Sequence, residues 1–250
     1  MNPIQIIILG AVQGITEWLP ISSDGHLVVL EKIMRLAVTV SFDVFLHLGS
    51  LLVILIFFRQ PLVEFLKHLF GRPSQWPIER NRWWLYLLIS TVVTGILGLS
   101  FYPYIENFRT IGFAANGFLF TSLFLLATRW SKSGRSIGYP EAFVLGLVQG
   151  LAVLPGVSRS GLVLSLALLL GAKKEDAFDY TFFLAVPAII AAFVLAVKDL
   201  AWQPIYLLGL LMTIIVGLLA LFLLRNIVQR DKLYWFCIYT FVLAMVLKLL

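Results

Sequence analysis

The chain of 250 residues is 60% hydrophobic and only 13% charged, with a mean hydropathy of +0.96, whereas about 25% of the residues of a soluble domain are charged. This composition excludes an ordinary soluble domain and predicts an all-α polytopic membrane protein, because such long apolar runs suit spanning helices and not barrel strands. The formal net charge of +6 is typical of basic loops on one side of a membrane, so we expect no nucleic-acid partner.

The first half of the chain predicts a short helical hairpin followed by three spans. Residues 1–12 are apolar but too short to cross a bilayer, and Pro20 and Gly25 interrupt the pattern before a second short segment, 26–36. We expect this hairpin to enter the bilayer and return. The three full spans that follow are predicted at 41–58, 83–101 and 112–128, with a basic polar loop at 59–82.

The second half of the chain repeats this organisation after a Ser/Gly-rich linker at 129–138. A second broken stretch covers 141–171, where Pro155 and Gly156 separate two half-length segments. Three more spans are predicted at 178–197, 204–224 and 233–250. We therefore expect one membrane domain, 1–250, made of repeat one (about 1–130) and repeat two (about 139–250), with six full transmembrane helices and two re-entrant hairpins.

Basic residues indicate how the two halves are oriented. If the loop 59–82 is cytoplasmic, thirteen of the nineteen lysines and arginines lie on that side, as the positive-inside rule requires. The first hairpin then enters from outside and the second from inside. The motif LGxVQG, which begins at Leu9 and again at Leu145, therefore occurs in opposite orientations. This is typical of an inverted-topology repeat, whose broken helices meet near the membrane midplane.

Each broken stretch carries serines just before a short helix, namely Ser22-Ser23 in the first and Ser158-Arg159-Ser160-Gly161 in the second. Helix N-termini with serine, glycine and arginine favour binding of an anion, most naturally phosphate. An alternative is that the serines only cap helices while Arg159 pairs with Glu17. Polar groups at membrane depth are costly, however, which favours a functional role.

Three further polar residues in the first broken stretch, Gln13, Glu17 and His26, suggest catalysis. His26 lies three residues after Ser23, a spacing that allows a nucleophile–base pair. Glu17 lies one helical turn after Gln13 and has three possible roles: binding a divalent metal, steering a proton or holding Arg159. His47, in a predicted span, is interpreted as a packing or supporting residue, and His68 as solvated.

The residues 13–17 (QGITE), 19–26 (LPISSDGH) and 155–161 (PGVSRSG) resemble the two signatures of the bacitracin-resistance family of undecaprenyl-diphosphate phosphatases. The similarity extends along nearly the whole chain and includes FD at 42–43, LGS at 48–50 and FLAVP at 183–187.

The resemblance implies an inverted-repeat enzyme of the cell membrane. Such an enzyme removes the terminal phosphate of a C55 polyprenyl diphosphate at the outer face, recycles the lipid carrier for cell-envelope glycan synthesis and confers bacitracin resistance. It also implies a divalent cation, Mg²⁺ or Ca²⁺, for which the site prediction gives Glu17 as the ligand. The resulting site prediction assigns catalysis to Glu17, Ser23, His26 and Arg159, and substrate binding to Gln13, Ser22, Ser158, Ser160 and Gly161.

Two positions depart from the family pattern: Val163 replaces a threonine, and Asp24 replaces a small neutral or hydroxyl residue. These affect the expected substrate preference and metal dependence more than the reaction.

Two mechanisms and two rival functions stay open. Ser23 attack on phosphorus, with His26 as its base, competes with direct activation of water by His26 or Glu17. A polyprenyl-phosphate flippase or anion carrier is the rival function, because inverted repeats with broken helices are also transporter architecture. Acid-phosphatase-like lipid phosphatases would need a second histidine after Ser-Arg, which this chain lacks.

Overall fold

The computed structural model describes residues 1–36 and 38–249. Within these ranges the regular structure consists of twelve α-helices joined by short 3-10 turns, and the one extended pairing is an isolated bridge between Arg135 and Ala172. The helices are α1 (Pro3–Thr16), α2 (Ser23–Ile33), α3 (Val40–Phe57), α4 (Arg59–Leu69), α5 (Trp83–Phe101), α6 (Ile105–Phe108), α7 (Ile111–Ala127), α8 (Tyr139–Leu151), α9 (Arg159–Leu169), α10 (Lys174–Ala196), α11 (Tyr206–Gln229) and α12 (Phe236–Lys248). The predicted all-α class is confirmed.

Five helical stretches among the described residues are long and apolar enough to cross a bilayer, which confirms a polytopic membrane protein. They are Val40–Phe57, Ile78–Phe108, Ile111–Trp130, Lys174–Asp199 and Tyr206–Gln229. The sixth predicted span, 233–250, corresponds to the shorter stretch Leu233–Lys248, and its last residue, Leu250, lies outside the described residues. The arrangement of six spans and two re-entrant hairpins therefore stays a prediction.

Two local predictions are wrong. Residues 59–82 are not a continuous loop, because α4 occupies Arg59–Leu69. This helix has no buried residue and is strongly amphipathic, with Val63 and Leu66 exposed on its surface. Gly25 does not interrupt the first hairpin, because α2 already begins at Ser23 and includes it. The break instead lies between Thr16 and Ser23.

The first helix of each half of the chain packs against a helix of the other half. Helix α1 packs against α11, α8 packs against α5, and α3 packs against α10. The repeated LGxVQG motif explains the first two contacts, since its first glycine lets the backbones of the two helices approach closely. A Cβ at Gly10 would lie 2.3 Å from the Gly209 carbonyl oxygen, and one at Gly146 would lie 2.7 Å from that of Ser90. The limits of the two repeats stay a prediction.

Candidate active site

Both breaks end in a serine that caps the following short helix. The Ser22 hydroxyl accepts from the Gly25 N–H at 3.3 Å, and the Ser158 hydroxyl accepts from the Gly161 N–H at 3.0 Å. Ser22 has φ = +67°, a backbone region that costs a non-glycine residue free energy and is often found at functional sites. The capping alternative is thus observed for both loops. The N-termini of α2 and α9 lie at the same cavity.

Gly156 allows the second loop to approach α7 closely. Its φ is +84°, and a Cβ there would lie 2.0 Å from the Ala114 carbonyl oxygen. The Gly156 carbonyl accepts from the Thr121 hydroxyl at 3.0 Å, and that hydroxyl accepts from the Ser158 N–H at 2.9 Å. Helix α7 therefore fixes the backbone that presents Ser158 and Arg159.

The two loops face a common cavity of about 200 Å³. Six of the nine predicted site residues line this cavity: Glu17, Ser22, Ser23, Ser158, Arg159 and Ser160. The other three lie behind or beside it. Gln13 is fully buried on α1, Gly161 supports the cap of α9, and His26 points elsewhere.

Glu17 is the centre of the polar contacts in this cavity. Its Oε2 atom accepts hydrogen bonds from the Ser23 hydroxyl at 2.6 Å and from Gln13 Nε2 at 3.1 Å. Its Oε1 atom pairs with the Arg159 guanidinium. Because Glu17 is 6% exposed, little water screens these contacts, and each is stronger than at a surface.

Arg159 reaches Glu17 from the opposite loop, so the predicted alternative of an Arg159–Glu17 pair is also observed. The pair does not use the whole guanidinium. The Nη1 atom of Arg159 is buried and has no hydrogen-bond partner among the described residues. An unpaired buried donor is costly, and a phosphate oxygen in the cavity would satisfy it.

His26 does not contact Ser23. Its Nδ1 lies 2.7 Å from the Ser22 carbonyl oxygen, and its Nε2 lies 2.7 Å from the hydroxyl of Tyr239 on α12. The ring also stacks on Tyr239 and meets the edge of Phe118. The predicted Ser23–His26 pair is therefore not formed. The helical turn that begins at Ser23 directs the imidazole away from the hydroxyl and toward α7 and α12.

The cavity residues that the site prediction omitted include Asp43, His47 and Arg109. His47 Nε2 lies 3.3 Å from Glu17 Oε2, which agrees with its interpretation as a supporting residue. Arg109 pairs with Asp43 at 2.8 Å and with Glu31 at 2.6 Å. A signal was present in the sequence, because Asp43, His47 and Ser50 are spaced to place polar groups along one face of an apolar helix.

The contacts of Glu17 do not fit a resident metal ion. Both carboxylate oxygens already accept from N–H or O–H donors, and Arg159 and His47 lie beside them where a cation would be repelled. Across the described ranges, no group of three or more His, Cys, Asp or Glu side chains is arranged to hold a metal ion.

Residues 6–246 match the model of the family described as bacitracin resistance protein BacA. The chain belongs to this family. It is similar to the undecaprenyl-diphosphatases of Carboxydothermus hydrogenoformans (38% identity over 100% of this chain and 98% of the relative) and Korarchaeum cryptofilum (36%, covering 96% and 95%). It is also similar to undecaprenyl-diphosphatase 1 of Shouchella clausii (32%, covering 98% and 95%). The resemblance seen in the two sequence signatures is thus confirmed along the full chain.

Proposed function

We propose that this BacA-family protein is a membrane phosphatase that hydrolyses undecaprenyl diphosphate to undecaprenyl phosphate and inorganic phosphate. This activity recycles the lipid carrier for cell-envelope glycan synthesis and confers resistance to bacitracin. Family membership and the undecaprenyl-diphosphatase activity of its full-length relatives support the assignment. The observation that carries it is the contact of Ser23 and Arg159 with one buried carboxylate, Glu17, beside two helix N-termini in one cavity.

Binding of the diphosphate is assigned to the second loop. The unpaired Nη1 of Arg159 supplies a donor for a phosphate oxygen, and a guanidinium binds phosphate in a bidentate manner. Ser22, Ser158 and Ser160 line the same cavity, and the N-termini of α2 and α9 favour negative charge there.

Catalysis is assigned to Ser23 and Glu17. The Ser23 oxygen attacks the terminal phosphorus while its proton passes to Glu17, which already accepts that hydroxyl at 2.6 Å. The bond between the phosphorus and the bridging oxygen breaks, and its electron pair leaves with undecaprenyl phosphate. Water then attacks the phosphoserine, and Glu17 returns its proton to the serine oxygen as inorganic phosphate leaves. Arg159 stabilises the charge on the transferring group in both steps.

The competing mechanism uses Glu17 to activate water directly, with Ser23 only binding phosphate. The position of Glu17 at the cavity wall suits both mechanisms. We favour the serine route because the Ser23 hydroxyl already occupies the hydrogen-bonding position that an activated nucleophile requires. His26 is assigned no proton-transfer step in either mechanism because of its contacts with Ser22 and Tyr239.

The site is proposed to open to the outer face of the plasma membrane. Ile105 and Arg109, in the connection between α5 and α7, line the cavity. The distribution of basic residues predicts that this connection is outside. The substrate diphosphate would then enter the cavity from the outer leaflet, with its isoprenoid chain in the bilayer.

A divalent cation, Mg²⁺ or Ca²⁺, remains a proposal taken from the family resemblance. The donors around Glu17 do not fit a metal resident at that carboxylate, so no step of the mechanism depends on one. Activity with and without a chelator tests the cation requirement directly.

Phosphate release by the purified protein from farnesyl diphosphate and undecaprenyl diphosphate tests the proposed function. We expect release from both, and faster release from the lipid of longer chain. A protein that moves polyprenyl phosphate across vesicle membranes but releases no phosphate would be the flippase alternative. The activity of the full-length relatives does not favour that alternative.

A further inference from the structure

His47 occupies a position between two carboxylates of the cavity. It lies on α3 and is about 17% exposed in its side chain. Its Nε2 atom is 3.3 Å from Glu17 Oε2 and 3.6 Å from Asp24 Oδ1. Its Nδ1 atom is 2.8 Å from the backbone carbonyl oxygen of Asp43.

These contacts determine which ring nitrogens carry hydrogen. A carbonyl oxygen only accepts, so the Nδ1 atom of His47 must donate to Asp43. If Nε2 were unprotonated, its lone pair would face the oxygens of Glu17 and Asp24. With hydrogen on both nitrogens the ring is an imidazolium. Each N–H then faces an oxygen that accepts a hydrogen bond, and the two carboxylates balance the positive charge.

We propose that His47 is a positioning residue that serves as a second counter-cation of Glu17 while Arg159 shares its charge with the substrate. This inference rests on the proposed function. In the free protein Glu17 has two cationic neighbours, Arg159 and His47. Once the Nη1 atom of Arg159 binds the diphosphate, one guanidinium would have to balance both the phosphate and Glu17, and a buried carboxylate with no other cation would repel the incoming phosphate. His47 keeps Glu17 neutralised and holds its Oε2 toward Ser23.

The other charged groups around the ring do not replace this function. Asp24 on α2 faces the same Nε2 atom and holds the imidazolium in place. Arg109 lines the cavity, but it is paired with Asp43 and Glu31 at 2.8 and 2.6 Å. His47 acts on the reaction through Glu17 and is given no contact with the substrate.

Three substitutions at His47 separate a charge role from a packing role. His47→Lys restores a cation, His47→Gln keeps a neutral N–H donor, and His47→Leu keeps only bulk. With farnesyl diphosphate as substrate, we expect kcat to fall about tenfold or more for Gln and Leu, with KM changed less than about threefold. The Lys variant should recover to within about threefold of the parent kcat. A Gln variant as active as the parent, or a Lys variant no better than Leu, would overturn the proposal.

His68→Gln is the matched control, because His68 lies on α4, a helix with no buried residue, and does not line the cavity; its kcat should equal that of the parent. A second measurement needs no activity. In detergent without substrate, His47→Gln should lower the midpoint of thermal unfolding less in a Glu17→Gln background than in the parent, because the paired carboxylate is already gone. Equal losses in the two backgrounds would contradict the His47–Glu17 contact, even if the protein released no phosphate at all.

Discussion

The hydroxyl of Ser23 donates a 2.6 Å hydrogen bond to Oε2 of Glu17 across the break between α1 and α2. Glu17 is the C-cap residue of α1, and Ser23 is the first residue of α2. The break therefore brings a hydroxyl and a buried carboxylate into contact over six positions of sequence, and Arg159 adds a cation to the same carboxylate from the other half of the chain.

Replacing Ser23 by alanine should abolish turnover, because the Ser23 oxygen is the proposed nucleophile. Quenched reactions of the parent should contain phosphoserine. Ser100→Ala is a suitable control, since Ser100 is exposed and bonds only within α5. A Ser23→Ala enzyme that keeps a tenth or more of the parent rate, a barrier difference of about 1.4 kcal/mol or less, would exclude the nucleophile assignment. Direct attack by water would then be the mechanism.

Replacing Arg159 by lysine should lower turnover on the order of 10²-fold, the scale for loss of one preorganised donor. Lysine keeps the charge but cannot pair with Glu17 and present a second N–H of the same planar group to phosphate. Steady-state kinetics of phosphate release measure the effect. Arg129→Lys, at an exposed position of the 3-10 turn Thr128–Trp130, should behave as the parent. Near-normal turnover of Arg159→Lys would show that a single positive charge at this position is enough for catalysis and that the planar guanidinium is not required.

Replacing Gly156 by alanine should destabilise the protein and disorder the second loop. The left-handed φ of +84° costs an alanine about 1–2 kcal/mol, and the added Cβ would lie 2.0 Å from the Ala114 oxygen. The midpoint of thermal unfolding in detergent should fall. Gly95→Ala on α5 is the matched control, since its added Cβ has open space and alanine is the better helix former by about 1 kcal/mol. Equal midpoints for the two variants would contradict the close packing of Gly156 on α7.

Accessibility of the cavity tests the outward orientation. In a background where Cys237 is replaced, a single cysteine at the cavity residue Ala192 should react with a small polar thiol reagent added outside intact cells. Gly161 is a poor reporter position, because a Cβ there would lie 2.9 Å from the Ser158 hydroxyl oxygen. A cysteine at the exposed Ser74, in the basic connection after α4, should react only after permeabilisation. The opposite pattern would place the cavity on the cytoplasmic side.

The repeated glycine motifs and serine loops illustrate what is predictable from local sequence. Gly10 and Gly146 occur in identical motifs because each half must let one helix approach another closely, and the serines before α2 and α9 cap those helices as their spacing predicts. The amphipathic helix α4 lies where the basic residues predict a loop, because charged residues at helical spacing also suit a helix at an interface.

The sequence by itself determined the membrane class, the two breaks, the family and most of the residues that line the cavity, because each depends on composition or on a local motif. The partners of those residues depended on the tertiary structure. His26 is closer to Ser23 along the chain than His47, yet the direction of α2 turns His26 toward Tyr239. The packing of α3 beside the break instead brings His47 to Glu17. Sequence spacing limits which side chains are able to meet, but the angle at which helices pack determines which of them do.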